Sequence, residues 1–159
     1  MKDARIRPAR PEDLDAMVRI LPRLADFEVP ARRRPGDLWE SDAATLRAWA
    51  EHGGDDLIVL VADDESEGVV GVALVRLQPE FMSRAPSGHL EALGVAPVAD
   101  GHGLGRRLLA EAERAALEAG ALSMTLHVFA NNARARSVYE RTGYDGELMR
   151  YVKHLVETD

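Results

Sequence analysis

Val95-Ala96-Pro97-Val98-Ala99-Asp100-Gly101-His102-Gly103-Leu104-Gly105-Arg106-Arg107-Leu108 sets three alternating glycines between an apolar run that ends at Val95 and an amphipathic run that starts at Leu104. A strand before the glycines and a helix after them is the reading that follows. Glycine has no side chain, so a phosphate can approach its backbone closely. The helix then offers unpaired N–H groups and the positive end of its dipole to that anion. The alternative is that the glycines only turn the chain. Arg106 and Arg107 weigh against it, because they fall in the first helical turn. A cation there is disfavoured by roughly 0.3–1 kcal/mol, and a bound polyanion removes the conflict. A P-loop carries Lys and then Ser or Thr after its last glycine, where this chain has Arg106-Arg107. A dinucleotide fingerprint needs a sixth-position glycine counted from Gly101, and that position is Arg106.

Upstream, Ala4–Pro8 reads as a short strand. Pro11-Glu12-Asp13 opens an amphipathic helix with Leu14, Met17, Val18, Leu21 and Leu24 along one face. Phe27–Glu40 has no period and carries Pro30, Pro35 and Gly36, which predicts a long loop. Ser41 reads as the N-cap of a helix to about His52, closed by Gly53-Gly54. Leu57–Ala62 and Val69–Leu77 are nearly continuous in Val, Leu and Ile, as strands covered on both faces are, with a hairpin turn at Asp63–Gly68. Gly88–Val95 is the strand that leads into the glycines. Beyond them come a helix from about Leu104 to Ala119, a strand Ser123–Phe129, a helix from about Asn132 to Arg141, and a final strand Leu148–Leu155. The order predicts a single domain over residues 1–159 of α/β (α+β) class, a mixed sheet with helices on both faces.

Composition narrows the function. The 159 residues are 46% hydrophobic, enough to build a core. The net charge of −7 argues against nucleic-acid binding, which wants clustered positive charge, and suits a cationic small substrate. The absence of cysteine excludes disulfides and thiol nucleophiles. No stretch approaches the ~20 apolar residues of a membrane span, and no apolar signal core follows Met1-Lys2-Asp3-Ala4-Arg5, so the expected location is the cytoplasm, away from membranes. No His, Asp and Glu cluster has metal-ligand spacing, and no metal is expected.

The run Leu90-Glu91-Ala92-Leu93-Gly94-Val95-Ala96-Pro97, followed by Gly101-His102-Gly103-Leu104-Gly105-Arg106-Arg107-Leu108-Leu109, resembles the acetyl-CoA motif of the GNAT superfamily of N-acetyltransferases. Asn132-Ala133-Arg134-Ala135-Arg136-Ser137-Val138-Tyr139-Glu140-Arg141-Thr142-Gly143-Tyr144 resembles the second motif of that family, at its expected distance. Asp100 departs from the pattern, standing where the family usually carries Arg or Gln. The resemblance implies a central, mostly antiparallel mixed sheet in which two parallel strands, Gly88–Val95 and Ser123–Phe129, splay apart around the pantetheine arm of acetyl-CoA. It implies that the backbone of Leu93, Gly94 and Val95 pairs with that arm, and that the amides of Gly101, His102, Gly103, Leu104, Gly105 and Arg106 hold the diphosphate. Asn132 would contact the arm and Tyr139 would face the thioester sulfur.

Such a reaction needs a neutral amine, a stabilised oxyanion and a proton for the departing thiolate. A backbone N–H such as that of Val95 serves the oxyanion, and the Tyr139 hydroxyl serves the thiolate. Glu91, on the strand beside the thioester, is the first candidate for general base, acting through water, with His89 and His127 behind it. Phe27 and Trp39 are candidates to line the acceptor site. The reading is an N-acetyltransferase acting by direct attack in a ternary complex, on an amine of a small molecule or a protein N-terminus or lysine, with a homodimer compatible. The alternative is a non-catalytic acyl-CoA-binding or regulatory module of the same fold.

Overall fold

A computed structural model of the chain describes residues 3–157. Five strands form one sheet in sequence order: β1 (Arg5–Pro8), β2 (Leu57–Asp64), β3 (Gly68–Pro79), β4 (Pro86–Val95) and β5 (Met124–Leu126). The first four are antiparallel neighbours, and β5 runs parallel to β4. Both faces are covered, which is why β2 and β3 read as continuous apolar runs. On one face Val59, Val61, Val72, Leu74 and Ala92 pack against α1 (Leu14–Ile20) and α2 (Glu40–His52) through Met17, Ile20, Ala43 and Leu46. On the other, Leu60, Ala62, Ala73, Val75 and Leu90 pack against α3 (Leu104–Glu118) through Leu104, Leu108, Leu109 and Ala112. Tyr139, on α4 (Ala133–Arg141), and Tyr144 lean on this second cluster. Among the described residues no helix is long and apolar enough to cross a membrane.

The register of β3 against β4 carries one irregularity. Leu74 faces Ala92 and Val75 faces Leu90, which leaves Glu91 as the extra residue of a β-bulge. A bulge bends its strand and re-aims a side chain. The β4–β5 pairing ends at Leu90↔Leu126, immediately before the bulged residue. Beyond that point the two parallel strands part.

The structure differs from the sequence reading at several ends. The first helix is broken into a 3-10 turn at Pro11–Asp13, α1, and a second 3-10 stretch at Leu21–Ala25, because Pro22 has no N–H to continue the ladder. The loop Phe27–Glu40 contains a 3-10 turn at Pro35–Leu38, and α2 begins at Glu40 with Trp39, not Ser41, at its N-cap. Only Met124–Leu126 of the strand expected at Ser123–Phe129 is laddered, since the splay removes its partner. The strand expected at Leu148–Leu155 does not form: the segment has no regular structure, and Leu148, Met149, Tyr151 and Leu155 are exposed. Strand composition alone yields no strand without a neighbour to supply the ladder.

Candidate active site

The glycine segment turns as its composition requires. Gly101 and Gly103 have φ of 80° and 74°, the left-handed region that other residues avoid, and Gly103 occupies the N-cap of α3. A Cβ built on either would meet nothing within 4 Å, so the space over both backbones is open. Leu104 is buried in the core, so only its amide is available to a ligand, while His102 and Arg106 are exposed. The first-turn N–H groups of α3 therefore follow a bare backbone with open space over it, which is the arrangement that receives phosphate oxygens. A diphosphate fits this cradle. Arg107 does not share the role of Arg106: its guanidinium donates to the Ala4 carbonyl at 2.8 Å and ties α3 to the chain start.

Asp100, the departure from the expected pattern, is neutralised. Arg23 donates to its carboxylate and also to the Val95 carbonyl at 3.1 Å, and Arg134 stands 3.9 Å away. Gly94 lies against α1, where a Cβ would come within 3.3 Å of Ile20 Cγ2. Leu93 and Val95 are half-buried on the edge that β5 leaves unpaired.

Glu91 sits at the vertex of the splay. Its Oε1 accepts from Arg76 Nε at 2.8 Å, and Arg76 also reaches Asp56 at 2.9 Å. His89 and His127 pack edge to face, with centroids 4.8 Å apart, and His89 Nδ1 lies 2.8 Å from Thr125 Oγ1. Burial and the neighbouring His127 hold His89 below its usual pKa, against the opposing pull of Glu91. On the opposite face Tyr139 packs edge to face on Tyr144 at 5.7 Å, and burial pushes its phenol pKa up. Its hydroxyl stays protonated and donates no hydrogen bond within the described residues. Asn132 caps α4, its Oδ1 accepting from the Ala135 amide at 3.2 Å, which leaves its amide N–H groups for another partner. Phe27 stacks on Phe129 at 5.7 Å, just past β5, while Trp39 packs on the α1–α2 face.

The structure thus brings Glu91, His89 and the unpaired edge of β4 together at the splay. The sequence reading missed Asp42, which is buried on α2 and feels the charge of Glu91. In the sequence it reads as one more acid in a helical first turn, so no local signal marks it. A shallow depression lined by Leu77, Pro79, Pro86 and Ala121 lies at the other end of β4 and is no part of this site.

The model of the Acetyltransferase (GNAT) family matches residues 21–144. The chain belongs to the GNAT acetyltransferase family. It is 30% identical over 142 residues to the uncharacterized N-acetyltransferase YhfO of Bacillus subtilis, covering 88% of this chain and 89% of that one. It is 28% identical over 110 residues to the mycothiol acetyltransferase of Kocuria rhizophila, and there the match covers 69% of this chain but 35% of the relative. Among solved structures, AAC(6')-Iy in complex with the bisubstrate analog CoA-S-monomethyl-acetylneamine superposes with a TM-score of 0.70 at 17% identity, over 97% of this chain and 98% of the other. A transcriptional regulator from Bacillus halodurans C-125 gives 0.71 at 24% identity, over 96% and 99%. At these identities the superpositions show a shared fold. The single mixed sheet with β4 and β5 parallel is the GNAT architecture.

Proposed function

We propose that the chain transfers an acetyl group from acetyl-CoA to an amine by direct attack in a ternary complex. The observation that carries this is the opening of β4 from β5 at Glu91, with the bare glycine cradle of α3 at the far end of the same strand. An extended pantetheine arm suits that edge because it takes backbone hydrogen bonds as an added strand does. In this reading the edge of β4 from Leu93 to Val95, which β5 does not reach, receives the arm, and the amides from Gly101 to Arg106 hold the diphosphate. The acceptor approaches from the α1–α2 face, where Glu91 accepts a hydrogen bond from its nitrogen. The amine lone pair attacks the thioester carbon, and a backbone N–H of β4 steadies the developing oxyanion. The C–S bond breaks as the carbonyl re-forms, and the Tyr139 hydroxyl gives its proton to the departing thiolate. The proton that the nitrogen sheds on becoming an amide returns through water to the tyrosine.

The test is an acceptor screen that reads free CoA thiol. Small-molecule amines, amino acids and peptides with free N-termini are offered with acetyl-CoA. Release that depends on one class of amine supports the reading. Tight CoA binding without release from any amine overturns it in favour of a non-catalytic acyl-CoA-binding module.

A further inference from the structure

Among the described residues, Asp42 is the one buried carboxylate on the α1–α2 face without a partner. It lies in the first turn of α2 and is 8% exposed, yet it caps nothing and makes no hydrogen bond or ion pair among the described residues. Burying an ionisable group without a partner is costly. The helix dipole does not require it, since the exposed Glu40 already places an acid in that turn. Its neighbour Ala43 shows what folding alone puts at such a position. Ala43, beside Asp42, and Ala92, beside Glu91, belong to one buried cluster, and the Glu91 charge reaches Asp42.

We propose, building on the transferase reading above, that Asp42 and Glu91 form the seat for the ammonium group of the acceptor, and that Asp42 takes the proton which this nitrogen loses before attack. One N–H bond breaks, its electron pair stays on nitrogen as the nucleophile, and the proton ends on an Asp42 oxygen, from which water later removes it. Arg76 is shared between Glu91 and Asp56, so the Asp42–Glu91 pair keeps negative charge for an ammonium to offset. Burial first, and the Glu91 charge second, push Asp42 up to about 7, where a carboxylate can both accept and return a proton near neutrality. The remaining charged groups on elements packed against α2 are engaged or turned outward: Asp13 with Arg7, Asp37 with Arg34, Asp56 with Arg76, and Glu12, Asp15 and Arg19 on the surface.

The experiment is carboxyl 13C NMR on the full chain with labelled aspartate and bound CoA, using 1,4-diaminobutane as the cationic probe. The resonance missing in Asp42→Asn should titrate near neutrality. Its midpoint should fall when the diamine is added, because a nearby cation favours the ionised form. It should also fall in Glu91→Gln. A midpoint in the ordinary carboxylate range, or one indifferent to the diamine, overturns the proposal. In the CoA-release assay, Asp42→Asn should lower kcat/KM by roughly 10²-fold and remove the acid limb near neutral pH, with Asp42→Glu recovering part of both. A slowed Asp42→Asn that keeps the limb has lost only structure, and that also overturns the proposal. If no amine releases CoA from the unaltered chain, the transferase reading fails, and the NMR titration still decides whether Asp42 receives an ammonium.

Discussion

Arg23 holds Asp100. The guanidinium, from the 3-10 stretch after α1, bridges the Asp100 carboxylate at the mouth of the glycine cradle and the Val95 carbonyl at the end of β4. The bridge fixes the angle between the strand edge and the cradle, and it cancels a negative charge beside the expected diphosphate. Arg23→Met keeps the bulk and loses both effects, so CoA should bind roughly tenfold more weakly by calorimetry, the size expected for a charged hydrogen bond. Asp100→Asn added to Arg23→Met should recover part of the loss, since it removes the uncompensated carboxylate. Two additive losses would mean that Asp100 itself contacts the ligand favourably.

The cradle makes a second prediction with an internal control. Gly103→Ala forces a side chain into the left-handed region at a cost of about 1 kcal/mol, which lowers Tm by roughly 2–4 °C. It should also abolish the rise in Tm that CoA produces. Gly120→Ala carries the same kind of backbone strain, at φ 98°, past the C-terminus of α3 and a full helix length from Gly103. It should lose similar stability and keep the CoA response. An intact CoA response in Gly103→Ala removes the diphosphate from this loop.

Tyr139→Phe removes one hydroxyl and little volume from a packed site. Turnover should fall by roughly 10²-fold, the usual loss for an acid catalyst, while CoA affinity stays nearly constant. Burial raises the phenol pKa, so the basic limb of the unaltered enzyme's pH profile should not come from Tyr139 below about 10. Unchanged turnover would assign protonation of the thiolate to water.

Glu91→Gln keeps the shape of the bulged residue and loses its charge. It should raise the KM for the amine and move the acid limb of kcat/KM to lower pH, because the Asp42 carboxyl loses the charge that helps hold it up. Parallel profiles at all pH values would leave Glu91 a structural partner of Arg76.

Acid stability follows from the start of the chain. Arg7 binds Asp13 at 2.8 Å and Asp63 at 3.0 Å, and the Arg7 hydrogen bond holds the Asp13 carboxyl below its usual pKa despite burial. A depressed folded-state pKa gives stability that is complete above the unfolded value and lost as pH falls through the folded one. Asp13→Asn should therefore cost about 2 kcal/mol in urea unfolding at pH 7. The gap between the two proteins should begin to shrink below about pH 3.9 and vanish once pH falls through the depressed Asp13 pKa. A gap that persists into acid would show that Asp13 contributes through shape and not charge.

The sequence by itself determined the order of elements, the strand–glycine–helix unit and the family. These are local or regularly spaced signals: Val and Leu runs for β2 and β3, a helical stripe for α3, and glycines where φ is positive. The pairing of the site was decided only in three dimensions. The bulge at Glu91 exists in the register of β4 against β3, and no residue in either strand announces it. Asp42 and Glu91 lie far apart along the chain, and packing of α2 on the sheet is what sets one carboxylate in the field of the other. Arg23 and Asp100 meet for the same reason, across 77 positions. Leu148–Leu155 shows the converse: its composition is that of a strand, but a strand needs a neighbour's N–H and C=O groups, and the fold gives it none.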